Sequence, residues 1–361
     1  MRRPDIPVLT TLRFPAAMAI VFYHFLAYTL CPVWVWEGLS SGVSFFYILS
    51  GFILYYNYVD LTDRGFFWTA RFARIWPVHL FTLALTFLLL PFDSLDGHAT
   101  WKLTLPLNFF LLQAWVPWQG SVLSYNGVAW SLSAEAFFYL CFPWLLSVMK
   151  ARGPLLPLCV AFALGIFITA SAAFFLPGHA GMVWPFNPAT RLFEFVLGMT
   201  TGYLWTRMRA STRSRAMWTG LELLCLTVSL VLVPVIPLAL HWLGLSHITY
   251  LCLGSDLCAL GFAATIWVFA CQAGWITRVL SSRACEWFGE ISFALYMCHQ
   301  LIFRWLNPSV MTNPWNATLF FLGWLAASLL LSAAIFHLVE TPSRRAILAL
   351  YKKRRVGATA S

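Results

Sequence analysis

Residues 217–240 read MWTGLELLCLTVSLVLVPVIPLAL, an apolar run interrupted by a single charged side chain, Glu222. Coiled as an α-helix, such a run is about 36 Å long at 1.5 Å per residue, and crossing a bilayer takes about 20 apolar residues. The run is therefore a membrane span. Working outward, blocks of the same character lie at 9–30, 40–60, 72–91, 127–149, 154–177, 188–206, 247–271, 288–306 and 315–338, which makes about ten candidate spans. Composition agrees: of 361 residues, 60% are hydrophobic, 17% aromatic and only 10% charged, with a mean hydropathy of +0.76. Soluble domains carry roughly a quarter charged residues, so a water-soluble enzyme, a nucleic-acid binder and a disordered chain are all excluded. The expected fold class is an all-α integral membrane protein, a polytopic bundle.

The formal net charge of +10 reads as topology, because cytoplasmic loops retain Lys and Arg. An even number of spans puts both ends on one side. Basic residues cluster where a cytoplasmic side would fall: Arg2, Arg3 and Arg13 at the start, Arg64, Arg71 and Arg74 after the second block, Lys150 and Arg152 after the fourth. Arg207, Arg209, Arg213 and Arg215, then Arg278 and Arg283, then Arg344, Arg345 and Lys352 to Arg355 continue the alternation. Lys102, Arg191 and Arg304 fall toward the other side. The expected orientation is N-in and C-in.

Between the third and fourth blocks, residues 101–118 are apolar but broken by Pro106 and Pro117, which suits an interfacial or re-entrant piece. The first block holds Arg13 and His24 and lacks a convincing small-x-small cleavage site, so it is expected to be a retained helix and not a signal peptide. The nine cysteines form no Cys-x-x-Cys pair and are expected to act as small core residues, with no disulfide framework and no metal site. One membrane domain over 1–345 is expected, followed by a basic cytoplasmic tail at 346–361 and no appended soluble catalytic domain.

An ionisable group inside a span costs several kcal/mol and calls for a partner, a cavity or a task. Arg13 and His24, eleven positions apart, lie within about 20° on one helix face and about 16 Å apart along it. Arg71 and Arg74 share a face at i,i+3, and two guanidinium groups can converge on a polyanion; anchoring to anionic headgroups is the alternative. Glu135, in Trp130-Ser131-Leu132-Ser133-Ala134-Glu135, has no basic sequence neighbour and must be protonated or paired with a distant cation such as His24 or an Arg. Arg191 and Glu194 are spaced for a local ion pair, and Asp256 has no local partner. Tyr296 and His299 sit one turn apart, and at Glu340-Thr341-Pro342 proline is expected to stop the last span, with Glu340 free to pair with a cytoplasmic Arg. The imidazoles of His24 and His299, isolated carboxylates and a cytoplasmic Arg cluster suit proton transfer beside a phosphorylated ligand.

The order of these motifs resembles acyltransferase family 3: Arg13-x10-His24; Gly42-Val43-x-Phe45-Phe46-x3-Ser50-Gly51; Arg71-x2-Arg74-Ile75-x-Pro77; Trp130-Ser131-Leu132-Ser133-x-Glu135-x-Phe137-x-Tyr139; Ile291-Ser292-Phe293-x-Leu295-Tyr296-x2-His299; Glu340-x-Pro342-x-Arg344. The resemblance runs from about residue 8 to 345. It implies a largely bacterial, inner-membrane enzyme that moves an acyl group, most often acetyl, from acyl-coenzyme A to hydroxyls of cell-surface carbohydrate, exported polysaccharide or a lipid-linked precursor. Acetyl-CoA or another acyl-CoA is then a donor substrate, with no tightly bound cofactor, and the bilayer, the carbohydrate acceptor and the polysaccharide assembly machinery are the partners implied. His24 and Arg13 take the catalytic positions, His24 as general base or acyl-carrying nucleophile, with Glu135 as a third catalytic candidate. Arg71 and Arg74 would meet the coenzyme phosphates, and Ser50, Tyr139 and His299 are substrate-pocket candidates.

Two departures bear on this. Ser44 stands where the family often has an acidic residue, so an acid partner for His24 must come from elsewhere, with Glu135 available. The C-terminal esterase-like domain of some relatives is also missing, which implies a stand-alone transferase. The rival from another class is a proton-coupled transporter of a sugar or acyl compound using His24 and Glu135 as a relay, although no repeat of broken helices supports it. A structural subunit would leave the intramembrane ionisable groups unexplained.

Overall fold

The computed structural model describes residues 4–29, 37–176, 178–208, 214–244, 247–311 and 313–360. Arg2, Arg3, Arg209, Arg213 and Cys31 lie outside the described residues. Every regular element among the described residues is helical. The principal helices are α1 (Arg13–Thr29), α2 (Gly42–Tyr58), α3 (Arg64–Leu89), α4 (Trp101–Phe109), α5 (Trp130–Arg152), α6 (Leu155–Phe175), α7 (Leu192–Thr206), α8 (Arg215–Trp242), α9 (His247–Ala270), α10 (Arg283–Trp305), α11 (Pro314–Ile335) and α12 (Thr341–Ala360).

Seven stretches, Pro7–Ala27, Gly38–Tyr58, Arg64–Leu89, Gly127–Arg152, Leu155–Phe175, Arg215–Trp242 and Trp315–Arg355, are long and apolar enough to cross a bilayer, and Asp256–Ala270 is a shorter apolar helix. The protein is thus an all-α polytopic membrane bundle. α7 has only 15 residues, and α10 carries Arg283, Glu286, Glu290 and Arg304. Helices stand at all the apolar blocks read from sequence, but these last elements fall short on length or polarity.

The chain divides into two compact units, one of 1–59 with 144–292 and one of 60–143 with 293–361. In the first, α2 and α7 approach until backbone meets backbone. A Cβ on Gly51 would lie 2.0 Å from the Phe195 carbonyl oxygen, and one on Gly198 would lie 1.9 Å from that of Ile48. Small residues at such a contact let helices associate in lipid, where no hydrophobic force separates protein from solvent. Gly198→Val should therefore force the helices apart at a cost of roughly 3 kcal/mol or more. Thermal unfolding in detergent checks this, and a variant as stable as the parent would contradict it.

α6 follows the same logic. Its buried positions are Pro157, Ala161, Gly165 and Ala172, while Leu155, Phe167, Phe174 and Phe175 are 68–79% exposed, an apolar outer surface that only a lipid solvent tolerates. Glu222, the lone charge of the opening stretch, is 1% exposed. Its carboxylate accepts from the backbone N–H groups of Gly274, Ile276 and Thr277 and from Thr277 Oγ1. It caps the short helix Trp275–Leu280, where orphan N–H groups favour negative charge.

In the second unit, α3 is fixed to α5 by stacking of Phe67 on Phe142 at 4.9 Å and by a hydrogen bond from Trp68 Nε1 to the Tyr139 carbonyl, 3.1 Å. Tyr296 donates its hydroxyl to Val128 O or Ser131 Oγ, both at 2.9 Å. Asn126 Nδ2 donates to Met297 O and Arg304 to the carbonyls of Ser94 and Tyr125.

Pro342 corrects the sequence reading. The chain passes from α11 through a π turn, Phe336–Glu340, straight into α12. A proline ring clashes with the carbonyl four residues back in an α-helix; the wider π turn moves Leu338 out of that position, so Pro342 sits at the start of α12 instead of ending the span. α12 then docks on the start of α3. Asp63 caps α3 by accepting from Phe66 N–H and also accepts from Tyr351 and Arg355. The Phe66 bond above all holds the Asp63 carboxyl below its usual range.

Candidate active site

The first unit holds Arg13, His24 and Ser50. α1 begins at Arg13 and carries His24 on the same continuous helix, so both sit on one element as the spacing required. His24 Nδ1 lies 3.0 Å from the Ile20 carbonyl. A carbonyl can only accept, so Nδ1 carries the hydrogen and Nε2 of the neutral ring keeps its lone pair. Ser50 is half-buried on α2, one residue before the Gly51 contact.

Nearby in chain terms, Ser44 finds a partner that sequence could not show. Arg191 Nη2 donates to Ser44 Oγ at 2.9 Å and pairs with Glu194 at 3.0 Å. Its guanidinium lies 5.5 Å from the Tyr47 ring centre. Asp256, isolated in sequence, is within electrostatic reach of both Arg191 and Glu194. The local Arg191–Glu194 pair was legible from its i,i+3 spacing; its links to α2 and α9 were not.

The second unit gathers Arg71, Arg74, Glu135, Tyr139 and His299. Tyr139 is 6% exposed; its hydroxyl donates to the Glu135 carboxylate one turn earlier, and the Arg71 guanidinium stands 5.7 Å from its ring centre. Glu135 thus has a hydrogen-bond donor from its own helix. Arg74 forms an ion pair with Glu340 in the π turn, the two side chains being 16% and 2% exposed, and lies 5.3 Å from the Phe293 ring centre. The two arginines share a face, but they are held differently, Arg71 against an aromatic face and Arg74 against a buried carboxylate. His299 is fully buried. Its Nδ1 faces the carbonyls of Leu295 and Tyr296, and its own carbonyl accepts from Trp324 Nε1 at 2.8 Å. Among the described residues no cluster of three or more His, Cys, Asp or Glu is placed to hold a metal ion.

A family model described as an acyltransferase domain, that of acyltransferase family 3, matches residues 6–337, and the chain belongs to that family. Among curated relatives, acyltransferase MdmB of Streptomyces mycarofaciens is 32% identical over 217 residues, covering 54% of this chain and 56% of MdmB. Peptidoglycan O-acetyltransferase OatA of Listeria monocytogenes is 24% identical over 376 residues, covering 95% of this chain and 56% of OatA. Nodulation protein 10 of Rhizobium leguminosarum bv. viciae is 25% identical over 237 residues, covering 57% and 62%. The chain spans about half the length of the first of these relatives. No solved structure matches it.

Proposed function

We propose that the protein is an O-acyltransferase, most simply an O-acetyltransferase, of a bacterial inner membrane. It takes the acyl group from acetyl-CoA or another acyl-CoA and places it on a hydroxyl of a cell-surface or exported polysaccharide or of its lipid-linked precursor. About ten spans, with both ends in the cytoplasm, make up one domain over 1–345, and 346–361 form a basic cytoplasmic tail. Family membership supports the reaction class, and the name of the OatA relative favours acetyl transfer to a carbohydrate hydroxyl. The observation that carries the reading is the His24 ring, whose Nδ1–H is engaged by Ile20 O so that Nε2 is left as the basic nitrogen.

In direct transfer the acceptor oxygen attacks the thioester carbonyl, a C–O bond forms and the C–S bond breaks. The hydroxyl proton passes to the imidazole and from it to the departing thiolate, so no net proton is consumed. An imidazole is suited to both transfers near neutral pH. Arg13 assists on the same helix, Glu135 is the third catalytic group, and Ser50, Tyr139 and His299 contribute to the substrate pocket. Arg71 and Arg74 receive the coenzyme phosphates.

Purified protein in nanodiscs should release free thiol from acetyl-CoA over many turnovers when an acceptor is supplied; a transporter would release none. Arg71→Ala should raise the donor KM about tenfold, the loss of one charge-assisted contact of roughly 1.4 kcal/mol, with kcat little changed. An unchanged donor KM would reassign Arg71 to lipid anchoring.

A further inference from the structure

The segment 101–118 does not lie flat beside the bundle. Two of its contacts fall half-way down α3: Trp76 Nε1 donates to the Phe109 carbonyl at 3.1 Å, and His79 Nε2 meets the Asn108 carbonyl at 2.8 Å. The Trp76 and Phe109 rings also pack edge to face at 5.1 Å. Trp76 and His79 stand about 20 and 15 Å from the Leu89 end of α3, counted at 1.5 Å per residue. Trp76 is only about 3 Å further along the axis than Arg74 and about 8 Å further than Arg71.

At this depth the chain turns back. Leu111 has φ +58°, the Leu111 N–H bonds to Asn108 O, and the Leu112 N–H reaches back to Leu107 O at 2.7 Å. This is a Schellman ending with leucine where glycine is usual. It lets a helix stop inside hydrocarbon with its last carbonyls satisfied, which irregular backbone there requires. The returning segment is pinned by Gln113 Nε2 on Ala129 O and by Trp115 against Phe137 at 5.0 Å. Outward, Phe110 and Leu112 are 65% and 46% exposed; inward, Asn108 and Gln113 are fully buried. Asn108 Oδ1 and Gln113 Oε1 have no hydrogen-bond partner among the described residues. They are acceptors only, and they call for a donor such as a hydroxyl.

We infer that 101–118 is a re-entrant hairpin entering from the face opposite the donor arginines, and that its tip is the acceptor-side subsite, where Asn108 and Gln113 take hydrogens of an uncharged hydroxyl-bearing acceptor. This rests on the proposed acyl transfer and deepens it. The hairpin brings the acceptor's path to within about 8 Å of Arg71 along α3, so the acyl group need not cross the full bilayer.

Two measurements test it. A nitroxide at Phe110→Cys, with the native cysteines replaced, should report oxygen accessibility typical of mid-bilayer, well above a nitroxide at Leu88→Cys near the end of α3. A headgroup-depth signal like that of Leu88→Cys would overturn re-entrance without touching the proposed reaction. Separately, Gln113→Met and Asn108→Ser should each raise the KM for a p-nitrophenyl glycoside about tenfold while the acetyl-CoA KM holds. Unchanged glycoside KM in both variants would overturn the acceptor role. If the wild-type protein acetylates no glycoside while Phe110 reads mid-bilayer, the proposed reaction and the acceptor subsite fall together and the re-entrant hairpin stands.

Discussion

Arg74→Ala is expected to lower stability by about 3–5 kcal/mol, the cost of stripping one partner from a buried ion pair. The reason lies in what stays behind. Glu340 is 2% exposed at its side chain and sits in the π turn between α11 and α12, so its carboxylate has no route to water once the guanidinium is gone. Removing both charges removes most of the penalty: Arg74→Ala with Glu340→Gln should recover the greater part of the lost thermal midpoint, because a neutral amide is far cheaper to bury than an unpaired anion. Arg74→Lys keeps the charge but not the planar fork and should fall between. Thermal unfolding of the purified variants decides it, and an Arg74→Ala protein as stable as the parent would refute the account. A consequence follows for the donor site. A variant lacking both Arg71 and Arg74 would confound lost donor affinity with lost fold, so Arg71 must be tested singly.

The helices were legible because a lipid solvent writes its demand directly into composition: long apolar runs with few charges inside them. So was the pairing of Arg191 with Glu194, a matter of i,i+3 spacing on one helix. Contacts across the chain were not. Ser44 and Arg191 are 147 positions apart, Arg74 and Glu340 are 266 apart, and no local period connects them. Sequence marked Glu340 as a carboxylate wanting an Arg but could not choose among the many cytoplasmic ones. Pro342 misled for a different reason, since a proline stops an α-helix only if the carbonyl four residues back stays in register, and a π turn shifts it. Residues 101–118 were ambiguous because short apolar pieces broken by proline suit an interface or a re-entrant hairpin equally. The contacts on which the re-entrant proposal rests, the bonds from Trp76 and His79 to the carbonyls of Phe109 and Asn108, are tertiary.

His24→Ala is expected to reduce acetyl transfer by about 10²- to 10⁴-fold, the range over which a positioned acid–base group acts. His24 is half-buried, and its Nδ1 bonds to Ile20 O on its own helix. Two further variants divide the chemistry. His24→Asn can keep a donor to the Ile20 carbonyl but offers no basic nitrogen where Nε2 stood, and it should be as inactive as alanine. If the imidazole carries the acyl group, wild-type protein given acetyl-CoA without acceptor should gain the mass of one acetyl group at His24, because a covalent step needs no second substrate. If it acts only as base, no such adduct forms and thiol release waits for the acceptor. An His24→Ala protein that transfers acetyl at the parental rate would remove the imidazole from the reaction altogether, and with it the reason for reading the proton path through α1.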